Sequence, residues 1–192
     1  MPRRKTSGKS ADQLKGRQVV VGVSGGIAAY KAADLVSKLR QRGVSVTVVM
    51  TEAAQKFVTP LTFESLSDNR VIIDLFSDRS PYVMGHIALS DWAQAVVIAP
   101  ATANIIGKLA AGIADDALTT VAISVKCPVF LAPAMNDAMF ANPIVQANLK
   151  RLEEVGWRII EPAEGWLACG RVGKGRMCEV REIVSALEAL FR

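Results

Sequence analysis

The chain has 192 residues, a length that one domain with a single core commonly has. Hydrophobic residues make up 51% of it, yet its apolar runs are far shorter than the ~20 residues needed to cross a bilayer, so we expect no membrane segment. The net charge of +5 comes from the first 18 residues, which hold six of the 23 basic residues and one of the 18 acidic ones. The remainder is balanced and gives no indication of nucleic-acid binding.

The amino-terminal segment 1–18 is predicted to be a solvated, disordered leader because it is basic and poor in apolar residues. It contains no apolar stretch of the kind found in secretory signals, and a short role in targeting or nucleic-acid binding stays open. We expect residues 19–192 to form one domain. Three cysteines and a single histidine indicate a reducing, cytoplasmic compartment and no metal site. The cysteines are Cys127, Cys169 and Cys178.

The first elements form a strand, a glycine turn and a helix. The β-branched run Gln18–Val23 predicts a strand, which ends at the turn 24–26. Apolar residues on one face of the next fourteen residues predict a helix, which Gly43 ends, and 44–50 is a second apolar strand. This βαβ unit requires parallel strands.

The same alternation continues to the end of the chain and predicts a doubly wound parallel sheet of the flavodoxin/Rossmann-like kind, with three α/β/α layers. We expect further strands at 95–99, 129–132 and 157–160 and helices at 104–111, 116–124, 143–154 and 181–191. Between the last strand and the last helix, residues 161–178 are long and rich in glycine, which is typical of a mobile lid.

Ligands of such sheets bind beyond the carboxyl ends of the strands. After the first strand come Ser24, Gly25, Gly26 and Ile27, where a hydroxyl and a helix start could hold a phosphate, although the glycines could simply allow a tight turn. After the second strand comes Thr51, where a dinucleotide site would usually have an acid. A mononucleotide is therefore favoured over NAD.

Two later strands are also followed by small residues and amides. The segments 100–104 and 133–136 let a flat ring approach the backbone, while Asn104 and Asn136 can hydrogen-bond in a dry pocket. The alternative is that Thr102 and Asn136 are helix N-caps.

His86 and Cys169 are the candidates for proton transfer. His86 lies outside any strand, before a short apolar turn, and its side chain alone has an unperturbed pKa suited to neutral pH. A thiol in a closing lid, Cys169, could donate a proton to a bound intermediate. Either residue could instead be structural, and Cys127 is expected to pack in the core.

Taken together, these segments resemble the homo-oligomeric flavin-containing cysteine decarboxylases, most closely the phosphopantothenoylcysteine decarboxylases of coenzyme A biosynthesis. The resemblance runs from about residue 19 to the end. It is carried by VSGGIAAYK (23–31), HIAL (86–89), APATAN (99–104), GIADD (112–116), PAMNDAM (133–139), and LACG (167–170) followed by GKGRM (173–177).

The resemblance implies that FMN lies across the strand ends. Its phosphate would lie near the glycine turn and its ring beside the two small-residue loops. The cofactor residues so implied are Ser24, Gly25, Gly26, Ile27, Thr51, Phe57, Thr102, Ala103, Asn104, Ile105 and Ala134.

The resemblance also implies a reaction, the conversion of 4'-phosphopantothenoylcysteine to 4'-phosphopantetheine. Similar enzymes oxidise the substrate thiol by passing a hydride to the flavin, and the thioaldehyde so formed loses carbon dioxide to give an ene-thiol. Asn136 would hold the substrate carboxylate, His86 would act as acid/base or orienting group, and Cys169 would supply the last proton. Met135 and Arg171 are the other implied substrate contacts.

The family forms trimers or assemblies of trimers with sites between subunits, so His86 could serve its own subunit or a neighbour. In many bacteria the domain is fused to a ligase that joins cysteine to phosphopantothenate. Two departures stand out: Phe140 replaces a common tryptophan, and Cys178 could form a disulfide with Cys169. The alternatives are a peptidyl-cysteine decarboxylase and a non-catalytic regulatory flavoprotein.

Overall fold

A five-stranded parallel sheet forms the centre of the computed structural model, which describes residues 13–75, 85–166, 170 and 172–192. Its strand order is β2-β1-β3-β4-β5, the order of flavodoxin-like folds. This confirms the predicted doubly wound α/β architecture. The strands are β1 (Gln18–Val23), β2 (Ser45–Met50), β3 (Ala95–Ala101), β4 (Val129–Pro133) and β5 (Arg158–Ile159).

Helices cover both faces of the sheet and make the three predicted layers. They are α1 (Ala29–Gln41), α2 (Pro60–Ser67), α3 (Gly85–Trp92), α4 (Ala103–Ala110), α5 (Ala117–Ser124), α6 (Asp137–Phe140), α7 (Pro143–Glu154) and α8 (Val180–Leu190). Leu35 of α1 and Leu187 of α8 belong to one core cluster, whereas Ile105 of α4 and Leu118 of α5 belong to the other. The sheet separates the two clusters, which explains why its strands are apolar on both faces.

The folded domain begins earlier than predicted. Leu14 is fully buried in the first core cluster, and the Gly16 N–H donates to the Gly43 oxygen at 2.8 Å. The Arg17 guanidinium lies 4.7 Å from the centre of the Phe191 ring. Residues 13–18 therefore belong to the domain rather than to a leader, because they cover the edge of the core.

Several short elements escaped the sequence patterns. A 3₁₀ helix (Glu52–Lys56) and α2, α3 and α6 were not predicted, since eight residues or fewer give little periodicity. His86 consequently lies in the first turn of α3, and the expected apolar turn after it is part of that helix. The glycine-rich stretch contains an antiparallel hairpin, β6 (Ala163–Trp166) and β7 (Val172–Arg176), where a lid loop was expected.

Across the described ranges, no helix combines the length and the apolar character needed to span a bilayer.

Gly22 and Gly107 differ in the space that an added methyl group would have, so together they test how tightly α5 packs on β1. A Cβ at Gly22 would lie 2.4 Å from the Leu118 Cδ1 atom, and Leu118 is fully buried. Because overpacking strains a dense core, we expect Gly22→Ala to lower the free energy of unfolding by roughly 1–3 kcal/mol. Urea titration would measure it.

The control is Gly107→Ala in α4, where a Cβ would lie 3.7 Å from its nearest neighbour, an ordinary contact. Alanine is the better helix former, so this variant should be neutral or up to about 1 kcal/mol more stable. Equal unfolding midpoints for the two variants would contradict the close packing of α5 on β1.

Candidate functional site

The candidate site lies where the sheet order reverses. β1 pairs with β2 on one side and β3 on the other, both in parallel, so β1 and β3 end at the same edge. The chain then enters α1 on one face and α4 on the opposite face. Two helix amino-termini therefore flank one crevice, the usual ligand position in open α/β sheets.

The glycine turn after β1 presents backbone donors to this crevice. Within the part of the chain that the structure describes, the N–H groups of Gly25, Gly26, Ile27 and Ala28 have no acceptor. Successive backbone N–H groups at a helix start form a concave site for an anion. The turn therefore fits the phosphate predicted there.

One of the two glycines in the turn is also required by packing. A Cβ at Gly25 would lie 2.4 Å from the Cβ of Ala53, so only glycine fits against the loop after β2. A Cβ at Gly26 would lie 3.2 Å from Thr102 Cγ2, which is tight but not excluded. Gly25 thus serves packing.

Ser24 does not present its hydroxyl to the crevice. The residue is 2% exposed, and its Oγ donates to the Pro100 oxygen at 2.7 Å. The same Oγ accepts from the Thr102 N–H at 3.1 Å and lies 3.1 Å from Thr102 Oγ1. The hydroxyl thus joins the loops after β1 and β3, and a contact of Ser24 with the cofactor stays a prediction.

The loop after β2 lies beside the end of β1, because the Thr51 N–H donates to the Val23 oxygen at 3.1 Å. Thr51 Oγ1 accepts from the Ala54 N–H at 3.2 Å and begins the 3₁₀ helix. Phe57 and Ile27 are exposed apolar residues, at 50% and 63%.

The loop after β3 begins α4. Thr102 Oγ1 accepts from the Ile105 N–H at 3.4 Å, so Thr102 is an N-cap, as the alternative predicted. Ala103 is half-buried and Asn104 is exposed in the first turn, whereas the Ile105 side chain points into the core at 1% exposure. Only the backbone of Ile105 is thus suited to meet a ligand.

The loop after β4 lies beside the loop after β3. The Ala134 N–H donates to the Ala101 oxygen at 3.0 Å, which brings the two small-residue turns together as predicted. Asn136 Oδ1 accepts from the Ala138 N–H at 2.9 Å, so the N-cap alternative is confirmed for Asn136 too. Met135, like Asn136, is half-buried.

The hairpin packs directly on the loop after β4. The Met135 N–H donates to the Gly175 oxygen at 2.9 Å, and a Cβ at Gly175 would lie 2.4 Å from the Met135 oxygen. A Cβ at Gly173 would lie 2.7 Å from the Asp137 Cβ. The glycines of β7 therefore allow backbone contact with the Asn136 turn. Cys169 and Arg171 lie outside the described residues.

His86 is held through the backbone of α3. The Ser90 Oγ donates to the His86 oxygen at 2.6 Å and lies 2.5 Å from the Ser124 Oγ of α5. The His86 ring is partly exposed and, among the residues with described positions, has no hydrogen bond to the strand-end side chains. The structure thus brings Ser24, Thr102 and Asn136 to one edge without joining His86 to them.

The two cysteines that the structure describes are free thiols with a raised pKa. Burial raises the pKa of Cys178 to about 12, and burial also raises the pKa of half-buried Cys127. Cys178 lies in the first core cluster, so its packing differs from that of a reactive loop thiol. Cys127 packs against the second cluster, as predicted.

Lys31 and Phe140 have roles that the sequence did not reveal. The Lys31 Nζ lies 3.3 Å from the Met177 oxygen and 3.5 Å from Glu179 Oε1, which ties α1 to the end of the hairpin. The Phe140 ring lies under the Lys174 Nζ, 5.5 Å from its centre. Lys31 is the last residue of the first motif that carries the resemblance, and only this position in the sequence pointed to a role for it.

A family model described as Flavoprotein matches residues 7–192. Two curated relatives are the coenzyme A biosynthesis bifunctional proteins CoaBC of Bacillus subtilis (strain 168) and Escherichia coli (strain K12). They are 52% and 44% identical over 178 residues, which is 93% of this chain and 44% of each relative. The chain therefore spans less than half the length of these relatives.

Solved structures agree with this assignment. A mutant PPC decarboxylase in complex with pantothenoylaminoethenethiol has a TM-score of 0.80 at 32% identity, covering 91% of this chain and 98% of that one. The FMN-dependent cysteine decarboxylase SpaF has a TM-score of 0.79 at 35% identity, covering 93% and 97%. With a matching family model over nearly its whole length, this chain belongs to the flavoprotein family.

Proposed function

We propose that this domain uses FMN to decarboxylate 4'-phosphopantothenoylcysteine to 4'-phosphopantetheine in coenzyme A biosynthesis. The observation that supports this most directly is that the loops after β1, β3 and β4 and the hairpin meet at one edge of the sheet. The CoaBC relatives and the PPC decarboxylase structure support the choice of substrate. A free-thiol substrate also suits a reducing cytoplasm.

The crevice fits FMN in charge and in shape. The N–H groups of Gly25, Gly26, Ile27 and Ala28, which have no acceptor among the described residues, suit a phosphate, and α1 directs the positive end of its dipole there. Small side chains on the loops after β3 and β4 leave room for a flat ring near the backbone. When bound, FMN supplies a two-electron acceptor that turns the substrate thiol into a thioaldehyde, from which carbon dioxide leaves readily.

Asn136 is the proposed contact of the substrate carboxylate. Its Oδ1 bond to the Ala138 N–H fixes the direction of the side chain, and its Nδ2 group is a donor suited to a carboxylate. A neutral amide holds this group without the strong ionic attraction that would favour its retention. Met135 and Arg171 are proposed as further substrate contacts.

The hairpin is proposed to close the site. Its β7 strand already contacts the Asn136 turn through Gly173 and Gly175, and closure would keep water from the reactive intermediate. Cys169 lies between β6 and β7 in the sequence. Its thiol is proposed to donate the proton that completes the final reduction, while His86 acts as acid/base or orients the substrate.

A second copy of the chain is proposed to complete the site, in a trimer or an assembly of trimers. Large apolar side chains at the start of α1 and around the start of α2 are exposed in the single chain: Ile27, Tyr30, Phe57 and Leu61 at 63%, 61%, 50% and 68%. Such a patch indicates a protein contact. His86 would then act on its own or a neighbouring subunit's flavin. A fused ligase domain, as in the bifunctional relatives, is a further possible partner.

The first test combines colour and product. The purified protein should be yellow and release FMN on denaturation, and it should liberate carbon dioxide from 4'-phosphopantothenoylcysteine faster than from a cysteine-ending peptide. Faster release from the peptide would favour a peptidyl-cysteine decarboxylase. If the protein binds no FMN, even after reconstitution, the proposal is refuted. If it binds FMN but shows neither activity, a regulatory role is favoured.

The second test concerns His86. His86→Asn should keep the flavin spectrum while lowering kcat by roughly 10²–10⁴-fold, the usual contribution of general acid/base catalysis. The control is Ser90→Ala, which removes the hydroxyl that bonds to the His86 oxygen but leaves the imidazole in place. Full turnover by His86→Asn would remove the residue from the mechanism.

The third test separates decarboxylation from the final reduction. Cys169→Ala should still release carbon dioxide but accumulate the oxidised ene-thiol product, because the last proton is missing. Mass spectrometry distinguishes this ene-thiol from the fully reduced product. The matched control is Cys127→Ala. It removes a half-buried thiol that packs against the second cluster and precedes β4, at the opposite end of that strand from the Asn136 turn, so it should give the normal product.

A further inference from the structure

The buried hydroxyl of Ser24 joins two of the loops that lie at the carboxyl edge of the sheet. We propose that Ser24 is a positioning residue, which fixes Thr102 and the start of α4 against the glycine turn and so sets the geometry in which the flavin ring binds. This rests on the proposed function, because it assumes that FMN occupies the crevice.

Ser24 joins the segments that follow β1 and β3, beyond the point where the two strands stop pairing. The pairing of β1 with β3 ends at Gly22 and Ile98. Beyond it, the chains are joined by the Ser24 N–H to the Pro100 oxygen at 3.4 Å and by the three contacts of the Ser24 Oγ. The Ser24 side chain makes three of these four contacts, so it is the main link between the segments that lead into the two helices.

Ser24 is linked to Thr102 through both backbone and side chain. The Ser24 Oγ donates to the Pro100 oxygen at 2.7 Å and to Thr102 Oγ1 at 3.1 Å, so its one hydroxyl proton is shared between two acceptors. The same Oγ accepts from the Thr102 N–H at 3.1 Å. Because Thr102 Oγ1 in turn accepts from the Ile105 N–H, the Ser24 hydroxyl is connected to the first turn of α4. A change at Ser24 is therefore expected to displace Thr102 and the start of α4.

A second buried serine provides the matched control. Ser67 is 1% exposed, its Oγ donates to the Asn69 oxygen at 3.1 Å, and it accepts from the Asn69 N–H at 3.2 Å. Like Ser24, it bridges backbone groups in a turn. It lies at the end of α2, outside the crevice, so its loss costs stability without changing the strand ends.

The test uses the full chain loaded with FMN. Ser24→Ala should raise the Kd for FMN about tenfold, as expected for losing buried hydrogen bonds, and should change the visible circular dichroism of the bound flavin. Ser67→Ala should lower the Tm but leave the Kd and the dichroism unchanged. Should Ser24→Ala not fold, Ser24→Cys keeps the side-chain volume with a weaker donor and should give an intermediate change.

The same substitutions in a Thr102→Val background test the route of the effect. In that background the Ser24 Oγ keeps its bonds to the Pro100 oxygen and to the Thr102 N–H and loses only the contact with the Thr102 hydroxyl. Ser24→Ala should therefore still weaken FMN binding there, but by a smaller factor than in the native background, because the two hydroxyls are coupled. An equal or larger factor there would overturn the inference, as would a Ser24→Ala protein with native Kd and dichroism. Failure of the native protein to bind FMN would instead refute the proposed function.

Discussion

The parallel pairing of β1 with both of its neighbours is the constraint on which the candidate site depends. Because β1, β2 and β3 run the same way, their carboxyl ends meet at one edge. The chain must then cross to opposite faces, and α1 and α4 begin on either side of the crevice. The loop after β4 joins the same edge through the bond between Ala134 and Ala101. The proposed ligand contacts on these loops are therefore a consequence of strand order, whereas His86 lies on a helix that precedes a strand.

Close backbone approach then shapes the walls of the crevice. Gly25 fits against Ala53, and Gly175 fits against the Met135 oxygen, at positions where any Cβ would collide. These contacts hold the loop after β1 against the loop after β2, and the hairpin against the loop after β4. Small residues at the strand ends thus serve loop packing and ligand access together, and the two interpretations that the sequence left open are compatible.

Two elements were predicted with their exact bounds. They are β1, which is buried from residue 19 to residue 23, and α7, in which only Leu149 and Leu152 are buried. Leu14 was missed because one apolar residue in a basic segment gives no pattern. The gathering of strand-end loops at one edge also followed from the sequence. The position of His86 did not, since α3 comes before a strand and strand order says nothing about it.

The strand-end residues divide the work between backbone and side chain. Around the glycine turn, backbone N–H groups face the crevice, while the hydroxyls of Ser24, Thr51 and Thr102 bond to the protein itself. A hydroxyl beside a helix start is satisfied by the nearest backbone partner unless a ligand competes. Backbone donors at a helix start have no such partner within their own helix. The phosphate that we propose at this edge would therefore meet mainly peptide groups, while the side chains join the loops that carry those groups.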